Sequence, residues 1–397
     1  EHRMAILGAG PIGLECLLRF RLADWEADVY ESGRVGENIR RWGHVRMFSP
    51  WRMNVSEPGL EVTRPEGIDF DALPTGREYV TSYLEPLAAS PLLADHVHTG
   101  AEVVAVSRGA YLKGEEIGSE ARNRPPFRIL LNDARGERVV TADVVIDASG
   151  TFATHNWLGP GGIPAVGERE IEGVEYRLPD IEGRDRARFA GRRTLVVGAG
   201  HSAATAVVAL EGLAREAEET RVFWLTRTDD ERPVTEVVED PLPERARIAE
   251  AANRVAVDGE GWLERISGSC VHGLGRGDDA YLVKVGRDGP ERDVSVDSVL
   301  ALVGYRPDPA LVRELQVQTC WATEGTYPLA AALLSQEGGA ADCLTAGADL
   351  DAGTLRHPEP RFFTLGAKSY GRNPNFLLAT GFRQVEDLFG LLQSEMD

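Results

Sequence analysis

Gly8, Gly10 and Gly13 recur as Gly198, Gly200 and Ala203 with the same spacing. The two segments are Ile6-Leu7-Gly8-Ala9-Gly10-Pro11-Ile12-Gly13 and Val196-Val197-Gly198-Ala199-Gly200-His201-Ser202-Ala203. Each follows a short apolar run that reads as a buried parallel strand, and each opens a stretch that reads as a helix. The first glycine permits a tight reversal, the second lets a pyrophosphate approach the backbone, and the third position must be small for the helix to pack on the sheet. The helix N-terminus, where Pro11, His201 and Ser202 lie, then offers unpaired N–H groups and partial positive charge to phosphates. Two such turns in one chain point to two dinucleotides, the ground plan for passing hydride from a nicotinamide to a flavin.

The strands after the two turns end in opposite charges. After the first, Ala27-Asp28-Val29-Tyr30-Glu31 reads as a strand ending in an acid, at the spacing of a carboxylate that binds a ribose 2′-OH, with Ser32 beside it. An acid there disfavours a 2′-phosphate and suits FAD or NAD. After the second, Arg221-Val222-Phe223-Trp224-Leu225 runs into Thr226-Arg227-Thr228, and an arginine there accommodates a 2′-phosphate, which favours NADPH. Asp229 and Asp230 come soon after and leave NADH open.

The elements that must position these turns are legible in outline. A helix is expected over 14–22, another over 76–89 opened by Pro74-Thr75, and strands over 102–106 (with Val103), 127–131 and 139–140. Val144-Val145-Ile146-Asp147-Ala148-Ser149-Gly150 reads as a buried strand ending in small residues, so that Gly150 lets a ligand pass close to the backbone. A Gly/Pro-rich crossing, 159–167, leads to the second unit, whose last strand is 299–303. The chain then returns to the first domain through a strand at 362–365, and Gly381-Phe382-Arg383-Gln384 opens a final helix. The segments 230–253 and 321–353 read as irregular.

The basic and aromatic stretch Arg40 to Asn54 is the expected wall of the flavin pocket, with Arg40, Arg41 and Trp42 on the pyrophosphate side. A loop whose arginines pair with surface acids is the alternative reading. Lys368, Tyr370 and Arg372 could take a substrate carboxylate.

Composition narrows the class. The 397 residues are 43% hydrophobic and carry a net charge of -20, which argues against nucleic acid or an anionic membrane as partner. No apolar run approaches a membrane span, and a strand starting near residue 4 leaves no secretory signal, so a cytoplasmic protein is expected. Cys16, Cys270, Cys320 and Cys343 are scattered, without a C-x-x-C pair or zinc-ligand spacing, so no metal site is expected.

Taken together, the first turn with Glu31, the stretch Gly36 to Trp42, the second turn with Arg227, Ala148-Ser149-Gly150 and Gly304-Tyr305-Arg306-Pro307-Asp308 resemble the two-dinucleotide-domain flavoproteins. Among these the chain looks most like the class B flavin monooxygenases, both flavin-containing and N-hydroxylating. Two segments depart from that pattern. The family's F-x-G-x-x-x-H stretch is matched by Ile171-Glu172-Gly173-Val174-Glu175-Tyr176-Arg177, with Arg177 in place of histidine. The stretch similar to L-R-T-N-T-P is Val45-Arg46-Met47-Phe48-Ser49-Pro50, where Phe48 replaces the flavin-side asparagine; Ser49 or Asn54 would have to substitute as catalytic polar groups.

The resemblance implies an α/β fold of two Rossmann-like domains, with FAD bound by residues 1–155 and 309–397 and NADPH by an inserted domain, 156–308. It implies a monooxygenase that oxygenates N or S of a small polar metabolite with O2 through a flavin C4a-(hydro)peroxide. Gly381 and Gln384 would meet the flavin. A reductase or oxidase that inserts no oxygen, and a non-catalytic flavin-binding redox sensor, are the alternatives; a homo-oligomer is left open.

Overall fold

The run Met4–Leu7 is buried on both faces, as a strand flanked on each side in a parallel sheet must be. The computed structural model describes residues 2–259, 261–287, 291–336 and 351–396; Cys343 and much of the 321–353 stretch lie outside them. The chain divides into two compact units, Glu1–Thr154 with Arg306–Asp397, and His155–Tyr305.

In the first unit, β1 (Arg3–Leu7), β2 (Glu26–Glu31), β3 (Val97–Thr99), β7 (Val144–Asp147) and β15 (Phe362–Thr364) form a parallel sheet in the order β15-β7-β1-β2-β3. Its register pairs Leu7 with both Tyr30 and Asp147, so the carboxyl ends of the central strands finish together. An antiparallel sheet joins β4 (Glu102–Arg108), β5 (Phe127–Asp133) and β6 (Gly136–Ala142), with a register shift between Val103 and Ala105.

The second unit repeats the parallel plan. β8 (Arg193–Val197), β9 (Arg221–Leu225), β10 (Leu263–Ile266) and β14 (Ser298–Ala301) run parallel in the order β10-β9-β8-β14. Between β10 and β14 the chain makes an antiparallel sheet of β11 (Cys270–Arg276), β12 (Tyr281–Gly286) and β13 (Arg292–Val296), which the sequence reading did not resolve. The expected α/β class, with a parallel sheet behind each glycine turn, is what the chain forms.

Four helices of 12 residues or more occur among the described residues: α1 (Pro11–Leu22), α2 (His201–Glu216), α3 (Pro243–Asp258) and α4 (Leu378–Met396). α1 is buried through Leu14, Leu17, Leu18 and Phe20 in the same core as Val385, Leu388 and Leu392 of α4. Burying each such side chain is worth about 1.5–3 kcal/mol.

Three expectations need correction. The 230–253 segment is not irregular throughout: α3 begins at Pro243, a residue preorganised for the first helical turn, and buries Ile248, Ala249, Ala252 and Val255. A helix, Tyr327–Gln336, interrupts the 321–353 stretch. α4 starts at Leu378, so Gly381 lies inside its first turn rather than opening it.

The expected 76–89 helix is helical from Gly76 to Ala88, with a π turn at Val80–Leu84. Thr75 and Glu78 form a reciprocal capping box at its start. The π turn runs up to Glu85-Pro86, where proline lacks the N–H for an α-helical bond and its ring would crowd the Ser82 carbonyl.

A buried ionic cluster ties distant parts of the first unit together. Glu359 accepts from Arg108 Nε at 3.0 Å, from Arg122 Nη2 at 2.7 Å and from the Gln316 N–H at 2.8 Å. Both arginine side chains are 1% exposed and the Glu359 side chain is 0% exposed, so every charge here depends on its partners. The guanidinium of Arg108 also lies over the Phe127 ring, 3.5 Å from its centre.

Candidate functional site

The first glycine turn has the geometry that its spacing predicts. Gly8 has φ +98°, and a Cβ there would stand 2.9 Å from the Ala148 carbonyl oxygen. A Cβ on Gly13 would come within 1.8 Å of the Gly8 oxygen, so the close approach of α1 to the turn requires glycine. Gly10 is different: a Cβ would meet nothing within 4 Å. The Gly8 N–H donates to Tyr30 O at 2.8 Å, and Leu14 N–H donates to Gly10 O at 3.0 Å to begin the helix. Gly10 caps α1 without a side-chain bond, so the first N–H groups point outward unclaimed by a cap.

Glu31 ends β2 beside this turn. Its carboxylate accepts from the Ala9 N–H at 3.0 Å and the Gly33 N–H at 2.8 Å, and Ser32 Oγ donates to it at 3.3 Å. These bonds hold the acid against the glycine loop, fill Oε1 with two donors and leave acceptor capacity on Oε2.

Across the same strand ends the structure brings together a group that the sequence reading missed. Lys368 Nζ lies 2.7 Å from Asp147 Oδ2 and donates to Ser149 Oγ at 3.0 Å, while Ser149 Oγ donates to Asp147 Oδ1 at 2.6 Å. Lys368 is therefore already paired and buried, which leaves less of it for a substrate carboxylate. The available signal was Asp147 itself, an acid ending an apolar buried strand and so in need of a cation. Gly150 lies just beyond, at φ +73° with open space at its Cβ position.

The remaining residues of the first unit fall into distinct settings. Arg40 bonds the Val35 carbonyl at 2.8 Å and pairs with Glu85 at 2.5 Å, and Arg41 lies 3.7 Å from Glu37, so both pair with acids as in the alternative reading of this stretch. Trp42 is half-buried against Phe152, with ring centres 6.4 Å apart. Ser49 and Asn54 are buried together: Ser49 Oγ donates to Asn54 Oδ1 at 2.8 Å, and the Asn54 amide donates to the Ser49 and Pro50 carbonyls, each at 2.9 Å. Val103 is half-buried at the irregular register of β4. Gln384 accepts from the Gly366 N–H at 2.9 Å and donates to Ser369 Oγ at 2.9 Å, fastening α4 to the turn after β15. A Cβ at Gly381 would lie 2.3 Å from Ile12 Cδ1, so this glycine lets α4 approach α1.

One more buried acid lies on α1. Glu15, 3% exposed, accepts from Ser56 Oγ at 2.8 Å, and burial pushes its pKa up to about 7 against the help of that bond. The folded state therefore holds a proton that the unfolded chain releases near 4.5, so stability falls as pH rises from about 4.5 to 7 and is level beyond. The size of that fall is at most about 3 kcal/mol. Glu15→Gln is expected to abolish the slope and to stabilise the protein at pH 8, as read from urea midpoints between pH 5 and 8; an unaltered slope would show that Glu15 is not its source.

The second turn reproduces the first. Gly198 has φ +129°, and a Cβ there would meet the Leu302 carbonyl oxygen at 2.3 Å, while Gly200 faces open space. The Gly198 N–H donates to Leu225 O at 3.1 Å, the counterpart of the Gly8 bond. Ala203 is fully buried where the first turn has Gly13. His201 and exposed Ser202 begin α2, whose cap Gly200 also lacks a side-chain bond. Burial, together with the nearby Arg245, lowers the His201 pKa, so its ring is neutral at pH 7 and adds no charge of its own. Arg227 is exposed and has no ion-pair or hydrogen-bond partner among the described residues. Asp229 is engaged by Arg287 at 2.5 Å, and Asp230 accepts from the Thr228 hydroxyl.

No protein-family model matches the sequence, and no curated protein matches it. Solved structures do. The chain is similar to the bacillithiol disulfide reductase of Bacillus cereus, at 17% identity over 99% of both chains with a TM-score of 0.68. The fold is that of the two-dinucleotide-domain flavoproteins. An ornithine N-hydroxylase of Kutzneria sp. 744, described with reduced FAD, NADP+ and L-ornithine, shares this flavoprotein fold at 17% identity over 100% of both chains and a TM-score of 0.64. So does the FAD-bound cadaverine monooxygenase of Erwinia amylovora desferrioxamine biosynthesis, at 11% identity over 99% of this chain and 94% of that one, with a TM-score of 0.66. No helix among the described residues is long and apolar enough to cross a membrane. No cluster of three or more metal-ligating side chains occurs among them either.

Proposed function

We propose that the protein is an FAD-dependent, NADPH-consuming oxidoreductase, and that it is a monooxygenase acting on nitrogen or sulfur of a small polar metabolite. The observation that carries the cofactor pair is the contrast between two turns of matching geometry, one beside Glu31 and the other leading to Arg227, which has no partner among the described residues. An acid accepts a ribose 2′-OH and repels a 2′-phosphate; a free guanidinium does the reverse. The residues fit the two groups, since a Cβ at Gly10 or Gly200 meets open space and both helix caps leave N–H groups unclaimed by a side chain.

FAD would be held by the Gly8–Gly13 turn, Glu31 and Gly150, and NADPH by the Gly198–Ala203 turn and Arg227. When bound, the flavin would accept hydride from the nicotinamide and pass the electrons to O2. The protein's own part is to orient both groups and exclude water. Asp147, Ser149 and Lys368 form a fixed ionic group at the strand ends that FAD would approach, and their mutual bonds keep it rigid.

The monooxygenase branch rests on the motif resemblance together with the likeness to the two amine-oxygenating structures. A reductase without oxygen insertion is the second reading, favoured by the equally extensive likeness to the disulfide reductase. Against a dithiol mechanism, the sequence has no C-x-x-C pair.

The deciding experiment is anaerobic reduction of the FAD-loaded protein by NADPH, then mixing with O2 and quantification of peroxide. Reoxidation in two kinetic phases, with an oxygenated amine or thiol formed at the expense of peroxide, is expected. A single phase returning stoichiometric peroxide would transfer the assignment to a reductase or oxidase. Arg227→Ala is expected to raise the KM for NADPH about 10-fold or more, as for loss of one charge-assisted hydrogen bond worth about 1.5–3 kcal/mol, with little change for NADH. Equal effects on both coenzymes would remove the NADPH assignment.

A further inference from the structure

The turn that carries Arg227 is held by a second arginine, placed by an element nearly 40 residues later. Arg265 stands on β10, the neighbour of β9, and is paired in register with Trp224. Its guanidinium reaches over the end of β9. Nη1 donates to the Glu231 carbonyl at 3.2 Å, and Nη2 donates to the Asp230 carbonyl at 3.3 Å, to Thr226 Oγ1 at 3.5 Å and to Ser267 Oγ at 3.3 Å. Every one of these acceptors is neutral. In a chain of net charge -20, Arg265 has no carboxylate partner among the described residues, and its Nε is buried without a hydrogen bond.

The same side chain is coupled to the glycine turn. Its guanidinium carbon lies 5.1 Å from the Trp224 ring centre, and the fully buried indole donates through Nε1 to the Gly198 carbonyl at 2.8 Å. Trp224 thus touches the turn that would hold the pyrophosphate and also the arginine that shapes the turn after β9. Arg265 is half-buried: its Nε is out of water, while Nη1 and Nη2 spend their bonds on carbonyls and hydroxyls rather than on an acid. Those bonds fix the turn at the end of β9, where a dinucleotide's ribose is recognised in this fold.

We infer that Arg265 is a specificity-determining residue for the 2′-phosphate of NADPH: it fixes the Thr226–Glu231 turn that presents Arg227 and adds a second positive charge there. The inference rests on the NADPH reading and goes beyond it, since that reading needs Arg227 alone. Arg265 is a positioning residue for Arg227 and a source of local potential, and no catalytic step depends on it.

The test is titration of the FAD-loaded protein with 2′,5′-ADP and with 5′-AMP, two probes that differ only in the 2′-phosphate. Wild type is expected to prefer 2′,5′-ADP by at least about 10-fold. In Arg265→Met, which keeps apolar contact with Trp224 while removing the charge and its four bonds, that preference is expected to shrink at least about 5-fold with 5′-AMP binding changed less than about 2-fold. Arg265→Lys, which keeps the charge, should recover part of it. Equal weakening of both probes in Arg265→Met would reduce Arg265 to a packing residue and overturn the inference. So would a preference that survives in Arg265→Met but is lost in Arg227→Ala, and that pattern would leave the NADPH reading intact. Absence of any preference in wild type would remove the NADPH reading and this inference with it.

Discussion

Glu359→Gln is expected to destabilise the unit that contains it by about 3–5 kcal/mol, the cost of breaking a buried ion pair by removing one partner. The substitution keeps shape and some hydrogen bonding but leaves the Arg108 and Arg122 guanidiniums facing each other without a countercharge, each 1% exposed. Water cannot substitute easily, because the other donors are already committed: Arg122 Nη1 to the Leu112 and Glu115 carbonyls, and Arg108 to the Pro125 and Pro360 carbonyls. The effect should appear as a lower urea midpoint, with β4 and the 119–124 turn losing amide-exchange protection first. A midpoint within about 0.5 kcal/mol of wild type for Glu359→Gln would mean that solvent reaches the cluster, and the burial argument would fail.

That cluster also shows why part of this fold was readable in the sequence and part was not. β1 and β2 announce themselves locally: an apolar run, a glycine turn, a helix and a strand ending in Glu31 succeed one another within about 30 residues, so short-range rules suffice. The same holds for β8, α2 and β9. Glu359, by contrast, meets partners 251 and 237 positions away, and nothing near it in the chain reveals that it is buried. Asp147 and Lys368, 221 positions apart by their numbering, pose the same difficulty, although an acid inside an apolar strand was a usable sign. Within the stretch 40–54, residue types suggested a ligand wall; how each polar group is spent depends on a tertiary fold that types alone do not encode. Ser49 and Asn54 illustrate this, because Asn54 directs both amide hydrogens to carbonyls of its own turn. The 230–253 segment was misread for a more local reason. Its helix begins late, at Pro243, after a polar approach rich in acids and prolines that masks the apolar spacing beyond it.

The glycine turns themselves allow a sharper test, because their three positions are required for different reasons. At Gly13 a methyl group would stand 1.8 Å from the Gly8 oxygen, a contact relieved only by moving α1 off the turn. Gly13→Ala is therefore expected to cost about 1–3 kcal/mol of folding stability, the usual range for overpacking. At Gly10 the φ of -81° is open to any residue, and an added Cβ meets nothing within 4 Å, so Gly10→Ala should change stability by no more than about 1 kcal/mol. The space that makes it harmless to the fold is the space a pyrophosphate would enter, and Gly10→Val should weaken FAD binding about 100-fold, or about 2.7 kcal/mol. Gly200→Val should do the same for NADPH while leaving FAD in place, since that residue belongs to the other unit and has equally open surroundings. Equilibrium dialysis of FAD, NADPH titration and urea unfolding on the same variants separate the two kinds of requirement. If Gly10→Val kept FAD as tightly as wild type, the open face of the first turn would not be a phosphate site, however well its backbone matched the second.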